Sequence, residues 1–317
     1  MTEPLAPALR ILSRFWLEEL RADDLPLLES LPDLAETLPQ TGAAVLTDLS
    51  VEYQRLFGFN LPPYESVFID PSAMLMAPAT ERVQQTYRQA GWTPPPGNRT
   101  GAPDHLGLEL LALADWHEEG QDEPVARLQS RHLALWTPVF TLTLQRLDPH
   151  PFYARLAELT LELLLATLPA QPLPPGADPF PDLPPPPKFR GTEENWPPAE
   201  SQESSPGLRP VLKRLLTPRR AGFYLTRQDI ARLGRTLALP GSMGDRYRML
   251  ETLVRSAQQY ELLPTLVEQL GSLIAQIDAE YAHLAEEYPA WTLYAAAWQD
   301  RLTATQTILA DLGPSSN

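Results

Sequence analysis

A group of ionisable residues lies between positions 104 and 132 of this chain, in a sequence otherwise rich in Leu, Ala and Pro. His105 and Glu109 are four residues apart, a spacing that places both side chains on one face of a helix. This pair, together with His132 and either Glu123 or Glu109, has the residue types of a carboxylate–imidazole metal site in a helical bundle. A di-iron centre needs paired Glu-x-x-His motifs, and the sequence has no such pair. A buried histidine hydrogen-bonded to a glutamate, without a metal, is the structural alternative.

The composition excludes further classes of chemistry. The chain has no cysteine, so it has no thiol nucleophile, disulfide framework or thiolate ligand for zinc or iron–sulfur clusters. It has no H-E-x-x-H, G-x-S-x-G, P-loop or G-x-G-x-x-G pattern. A net charge of −15 argues against nucleic acid as the main partner, because phosphate binding needs a basic face. The sequence therefore predicts no catalytic residue, no cofactor and no metal. A metal- or nucleotide-dependent enzyme on a helical bundle is the alternative.

Apolar residues recur at helical spacing over most of the 317 residues, and a hydrophobic content of 43% can fill a core. The sequence therefore predicts an all-α fold. Helices are predicted over residues 9–20, 43–57, 81–91, 104–116, 128–140 and 152–168, and again over 226–237, 242–260, 262–287 and 291–312. Residues 25–38 are predicted to form a broken helix. Residues 58–80 are predicted to be a loop, because four prolines interrupt them.

A proline-rich segment divides the chain. Fourteen prolines between Pro169 and Pro210 predict an extended linker that cannot build a core. The predicted organisation is a helical domain at residues 1–168, the linker at 169–210 and a smaller helical bundle at 211–317.

The two helical regions differ in charge. Residues 209–255 carry eleven Lys and Arg against three acids, whereas residues 1–170 carry eleven Arg against 23 Asp and Glu. Opposite charges favour docking of the basic region on the acidic one within the same chain. A phosphate-bearing ligand or an ordinary solvated helix surface are the alternatives.

Four short motifs follow one another in the first half of the chain. They are E-Y-x-x-L-F at residues 52–57, P-P-Y-E-S-V at 62–67, D-H-x-x-x-E-L at 104–110 and H-L-x-x-W at 132–136. In this order they resemble the TorD/DmsD/NarJ family of redox-enzyme maturation chaperones, and the resemblance covers roughly residues 10–168. It implies a TorD-like helical bundle and a molecular chaperone in place of an enzyme.

The resemblance also implies a partner and a binding site. The partner is the catalytic subunit of a molybdenum-cofactor oxidoreductase, bound before export or assembly and often through its twin-arginine leader peptide. The implied client-binding residues are Tyr64, Glu65, Ser66, Asp104, His105, Glu109, Trp116, His132 and Trp136.

The physical chemistry of these residues is compatible with such a site. We expect Asp104 to cap the helix that follows it and, with His105, to lie at an exposed helix start. We expect Glu65 at the rim of an apolar groove, where a carboxylate would bind arginines through charge-assisted hydrogen bonds. The alternative for Glu65 is a cap on the next turn.

No apolar run approaches the ~20 residues of a membrane helix, and the N-terminus lacks a signal-peptide pattern, so we expect a cytoplasmic protein. One internal segment is similar to a twin-arginine leader: Arg219 and Arg220 are followed by Phe223, Tyr224 and Leu225. Since no apolar run follows, it is not an export signal. It is either a basic loop before the next helix or a pseudo-client that occupies the acidic groove.

Overall fold

The computed structural model describes residues 5–38, 42–97, 100–174, 176–183 and 208–311, and within these ranges the fold is all-α, as predicted. The N-terminal helices are α1 (Leu5–Leu17), α2 (Leu25–Leu28), α3 (Pro32–Ala35), α4 (Ala43–Tyr53), α5 (Glu65–Ile69), α6 (Pro78–Gln89), α7 (Leu106–Glu118), α8 (Asp122–Leu128), α9 (Ala134–Gln145) and α10 (Pro151–Ala166). The C-terminal helices are α11 (Leu208–Leu216), α12 (Pro218–Ala221), α13 (Arg227–Thr236), α14 (Arg246–Gln259), α15 (Leu263–Glu287) and α16 (Thr292–Ala310). No helix in these ranges is long and apolar enough to cross a bilayer.

Short turns of other helix types join these elements. Two 3₁₀ turns lie at Ala22–Asp24 and Pro289–Trp291, and two π-helical turns lie at Gln54–Asn60 and Gln129–Leu133. The second π turn, which we call the 129–133 turn, joins α8 to α9 and contains the first half of the H-L-x-x-W motif. π turns inside helices are rare and often lie at functional sites.

Helices α1 and α7 approach each other closely because of a glycine. A Cβ on Gly107 would lie 2.6 Å from Cγ of Leu17 and 2.9 Å from the carbonyl oxygen of Ser13. The hydroxyl of Ser13 donates to the carbonyl of Gly107 at 2.6 Å, which fastens the two helices at this point. The start of α7, where the D-H-x-x-x-E-L motif lies, is therefore fixed against α1.

The predicted loop at residues 58–80 contains more helix than expected. Helix α5 lies within it and α6 begins at Pro78, three residues before the predicted start. Pro78 occupies the first turn of α6, where a missing N–H costs nothing because that group has no helical acceptor. The prolines at 62 and 63 precede α5, so they interrupt neither helix.

The C-terminal region packs on α9, at a place where that helix has unused acceptors. Pro138 lies inside α9 and has no N–H, so the carbonyl of Ala134 lacks its usual helical donor. The indole nitrogen of Trp291 donates to this carbonyl at 2.8 Å. Two further donors follow on the same side: the indole of Trp298 to the carbonyl of Leu135 at 2.7 Å, and the phenol of Tyr294 to that of Ser130 at 2.6 Å.

Buried apolar side chains form one continuous core that includes both helical regions. The proline-rich segment takes part in it as far as the structure describes it. Leu173 and Phe180 are buried, and the ring of Phe180 packs edge-to-face on Trp298 at 4.8 Å. The expectation of an unpacked linker is wrong for these two residues, because an apolar side chain among prolines can still be buried against another element. Residues 184–207 lie outside the described ranges, and the domain boundaries at 168 and 210 stay a prediction.

An ion pair between the N-terminal and C-terminal regions has the opposite polarity to the one expected from their net charges. It joins Arg146, which directly follows α9, to Glu280 of α15 at 3.1 Å, so the cation belongs to the acidic region and the anion to the C-terminal one. The Trp291, Tyr294 and Trp298 bonds to backbone carbonyls are independent of net charge.

We expect Trp291→Phe to lower the free energy of unfolding by about 1–3 kcal/mol, because it leaves a buried carbonyl without a donor. In a Pro138→Ala background the same change should cost less, since the alanine N–H can bond to Ala134. Chemical denaturation of the four proteins of this double-mutant cycle gives the coupling energy. Equal costs in both backgrounds would show that the indole bond does not replace the missing helical bond.

Candidate functional site

The P-P-Y-E-S-V loop is paired with the residues that precede α7. The backbone N–H of Glu65 donates to the carbonyl of Asp104 at 3.0 Å, and that of Leu106 donates to Pro63 at 2.9 Å. Between these bonds Tyr64 and His105 form an isolated antiparallel bridge. Two motifs that lie about forty residues apart in sequence are therefore joined by backbone hydrogen bonds.

Asp104 caps a different helix from the one expected. Its Oδ2 accepts from the backbone N–H of Ser66 at 2.7 Å, at the start of α5, and its Oδ1 accepts from the hydroxyl of Thr80 on α6 at 3.0 Å. The cap of α7 is His105, whose Nδ1 accepts from the N–H of Gly107 at 3.0 Å. Burial lowers the pKa of His105 to about 3, which keeps the imidazole neutral and Nδ1 free to accept.

The carboxylate of Glu65 lies at the centre of the site and has no exposed surface. It forms an ion pair with Arg82 of α6 and accepts from Nδ1 of His132 in the 129–133 turn at 2.8 Å. Burial alone would raise the pKa of Glu65, but the charge of Arg82 and the contact with His132 outweigh it, so the pKa lies below its usual value. Glu65 is thus the ionised member of the site.

His132 is neutral and is bonded on both sides of its ring. Burial, followed by the positive charge of Arg82, lowers the pKa of His132 despite the nearby carboxylate of Glu65. With its proton on Nδ1, the ring donates to Glu65, and Nε2 accepts from the hydroxyl of Thr86 at 2.9 Å. Arg82 also donates to the carbonyl of Arg131 at 2.7 Å. Helix α6 is therefore joined to the 129–133 turn at two points.

Glu109 lies in the same cluster in the opposite protonation state. Burial, and then the negative charges of Glu65 and Asp104, raise its pKa well above the usual value. The indole of Trp136 lies 3.5 Å from Oε2, and Oε1 has no hydrogen-bond partner among the described residues. Burial and the nearby negative charges both favour the neutral acid, so Glu109 is the member of the site that holds a proton.

The three aromatic residues of the predicted site are divided between different contacts. Trp136 packs on Phe68 at 5.5 Å, and Trp116 lies edge-to-face with Tyr87 at 6.2 Å. Tyr64 is half-buried, and its ring packs on His105 at 4.8 Å. The structure thus joins most of the predicted residues into one cluster, which Trp116 borders on the side of α6.

The expected exposure of these residues is wrong. Asp104 and His105 are buried, and Glu65 lies inside the cluster and away from any rim. The physical reason is that α5, α6, α7 and the 129–133 turn all meet here. The start of α7 would be exposed to solvent in an isolated helix, but here the three other elements cover it. The eight buried members of the predicted set are Glu65, Ser66, Asp104, His105, Glu109, Trp116, His132 and Trp136.

Sequence reasoning missed the residues of α6 that complete the cluster. Arg82 and Thr86 lie four residues apart and therefore on one face of the helix, where they contact Glu65 and His132. Thr80 contacts Asp104 from the same helix. The sequence shows only an arginine and two threonines within an otherwise ordinary helix. Their spacing does not indicate which residues they contact.

The metal alternative is not supported by this geometry. Nδ1 of His105 and both ring nitrogens of His132 have hydrogen-bond partners, and Glu123 is paired with Arg127 of its own helix. In the described part of the chain, no three His, Cys, Asp or Glu side chains are grouped so that they could hold a metal ion.

Comparison with known proteins identifies the family of the chain. Residues 20–142 match a family described as nitrate reductase delta subunit, and this range contains all four motifs. The Tat proofreading chaperone DmsD of Salmonella typhi is 31% identical over 145 residues, which cover 43% of this chain and 70% of that protein. Fold and matches together define a chaperone and not an enzyme. The chain belongs to the TorD/DmsD/NarJ family of redox-enzyme maturation chaperones.

We expect Glu109→Gln to stabilise the protein at neutral pH, because the amide carries no charge and still accepts from Trp136. The pKa of Glu109 is raised from 4.5, so the contribution of this group to stability is fully present below pH 4.5 and is lost as the pH rises through the folded-state pKa. The advantage of the variant should therefore vanish in acid. Urea unfolding at a series of pH values measures it, and a variant that is less stable at neutral pH would contradict the protonated state.

Glu65→Gln is the matched control with the opposite sign. It should cost about 3–5 kcal/mol at neutral pH, because it leaves Arg82 without its buried counter-charge. Since the pKa of Glu65 is lowered, this cost should shrink only as the pH falls below 4.5 and through the folded-state pKa. Two glutamates of one cluster should thus respond to the same substitution in opposite directions.

Proposed function

We propose that the protein is a cytoplasmic chaperone for the catalytic subunit of a molybdenum-cofactor oxidoreductase, which it holds before export or assembly, in part through a twin-arginine leader. The four motifs and the relationship to a Tat proofreading chaperone support this partner. A chain with a net charge of −15 is also suited to bind a basic leader.

An exposed apolar loop is the observation that carries the proposal. Met74, Leu75 and Met76 follow α5 and have 54%, 41% and 67% of their surface exposed. Exposed apolar groups of this kind mark protein-binding surfaces, and methionine adapts to partners of irregular shape. We call these three residues the apolar loop.

The apolar loop is held in place by buried Asp70. One carboxylate oxygen accepts from the backbone N–H of Ser72 at 2.8 Å and from its hydroxyl at 2.6 Å, and the other accepts from the N–H of Ala79 at 3.2 Å. Ala73, just before the apolar loop, and Met76 within it have positive φ angles of 54° and 56°, although neither is a glycine. A loop fixed in this way loses little conformational entropy when a partner binds to it.

The buried motif residues have a positioning role in this proposal. Glu65 and Asp104 fix the start of α5, which ends at Ile69, and the apolar loop begins five residues later, at Met74. The remaining buried members of the predicted client-binding set also have a positioning role: they hold the elements that form the binding surface and do not contact the client themselves. Tyr64, which is half-buried, is the member able to contact a client directly.

Capture of a client tests the function. The tagged full-length chain, expressed at its natural level in a host that makes molybdenum-cofactor oxidoreductases, should retain one of their catalytic subunits through mild purification. The retained fraction should be the subunit without its cofactor. Failure to retain any such subunit from cells that contain it would show the proposal to be wrong.

Replacement of Met74, Leu75 and Met76 by serine should weaken client retention about tenfold or more, because each methionine or leucine buried at an interface contributes on the order of 1.5–3 kcal/mol. The fold should remain stable, since all three side chains are exposed. Met243→Ser is the control, because this methionine is 98% exposed and belongs to the C-terminal region. Equal retention by the triple variant and the control would remove the apolar loop from the binding surface.

A further inference from the structure

Arg219 docks on the end of α5, next to the apolar loop. Its guanidinium donates to the carbonyl of Ile69 at 3.1 Å and to that of Pro181 at 2.7 Å, and it lies over the ring of Phe180 at 5.5 Å. The carbonyl of Ile69 belongs to the last residue of α5, where helical acceptors lack partners. A cation-binding position thus exists at the end of the helix that the P-P-Y-E-S-V motif begins.

The surroundings of this position are acidic. Asp70, Asp178 and Asp182 lie close enough to act on the charge of Arg219. Burial lowers the pKa of Arg219, and the nearby positive charge of Arg82 acts in the same direction, whereas the three carboxylates oppose this effect. An arginine is suited to such a position because its fork of N–H groups can bond to two carbonyls at once.

The aromatic part of the same segment docks on the other side of α5. The ring of Tyr224 packs on Phe68 at 5.4 Å, and Phe68 packs in turn on Trp136 of the H-L-x-x-W motif at 5.5 Å. Phe223 and Leu225 on either side of Tyr224 are fully buried. An arginine followed four to six residues later by two aromatics and a leucine therefore contacts α5, the helix that begins within the P-P-Y-E-S-V motif.

The expectation that the arginine pair occupies an acidic groove is wrong in two respects. Arg219 alone is docked, whereas Arg220 is exposed. Glu65 is not the acceptor either, because Arg82 and His132 already bind its carboxylate. The docked unit is one arginine with the following Phe-Tyr-Leu, and we call residues 219–225 the docked segment.

We propose that the docked segment occupies, within its own chain, the surface on α5 where a client peptide with an arginine and a following aromatic–leucine pair binds. The chain then carries a tethered competitor of its client. This inference rests on the proposed function and adds to it the place where the leader binds and the means by which access is limited.

Tethering makes such competition strong. A segment held on the same chain has an effective concentration of order mM, so a segment of micromolar intrinsic affinity weakens the binding of a competing client peptide by up to about a thousandfold. The docked segment is also fastened on its other side: Tyr281 donates to the carbonyl of Gly222 at 3.0 Å, and Thr305 of α16 to that of Ala221 at 2.9 Å. A client that also binds the neighbouring apolar loop gains the free energy needed to displace it.

A peptide with the sequence of residues 216–228 provides the probe, and a second peptide with glutamine in place of Arg219 and Arg220 is its control. Fluorescence anisotropy measures the binding of each to the full-length wild type, Arg219→Ala and Arg220→Ala. We expect Arg219→Ala to bind the arginine peptide about tenfold more tightly than the wild type, because it loses charge-assisted bonds that hold the competitor in place. Arg220→Ala should match the wild type, since this neighbouring arginine is exposed.

Equal affinities of all three proteins, equal affinities for both peptides, or no binding to any protein would each overturn the proposal. A measurement on the wild type alone covers the case in which Arg219→Ala does not fold: a saturating concentration of the arginine peptide should speed amide hydrogen exchange in residues 219–225, and unchanged exchange would contradict displacement. Client retention is measured separately. If the protein retains a client but the peptide results are negative, the tethered-competitor proposal alone is overturned. If Arg219→Ala binds the peptide more tightly but no client is retained, the proposed function alone is overturned.

Discussion

The buried carboxylate of Glu65 is the group on which the rest of the site depends. Removing a carboxylate from water costs several kcal/mol, and it is tolerated only where the surroundings supply charge and hydrogen bonds of good geometry. Arg82 supplies the charge and His132 supplies the hydrogen bond. Because these three residues come from α5, α6 and the 129–133 turn, the requirement to satisfy one carboxylate holds three elements together.

Other acids of the cluster are accommodated by different means. Asp104 accepts from Ser66 and Thr80, so it acts as a helix cap and as a tie between α5 and α6. Glu109 keeps its proton, which removes a second negative charge from the neighbourhood of Glu65. Because each acid is accommodated in its own way, several carboxyl groups can be buried in the same region. Asp70, at the end of α5, instead fixes the apolar loop, which faces solvent.

Much of the fold follows from local sequence, and most of the site does not. Helical spacing predicted α7, α9 and α10 because each buries a stripe of leucines at the period of a helix. The same logic assigned Asp104 to α7, its neighbour in sequence, whereas the structure uses it to cap α5, some forty residues earlier. Pairing over that distance depends on how the helices pack, and a single sequence does not encode it in any local spacing.

The C-terminal region illustrates the same limit. Its helices were predictable from their periodicity, but their attachment to α9 depends on a carbonyl that Pro138 leaves free and on an indole about 150 residues later. The charge difference between the two regions predicted that they dock on each other through electrostatic attraction, not through these hydrogen bonds. Backbone acceptors are invisible in a composition count, so the contacts that fasten this region could not be derived from it.

Amide hydrogen exchange of Glu65→Gln tests the central claim most directly. If the carboxylate holds α5, α6 and the 129–133 turn together, exchange should become faster in all three, while α1 and α10, which do not contact Glu65, keep their protection. Unchanged protection in the 129–133 turn, or an equal loss in every helix, would contradict the account.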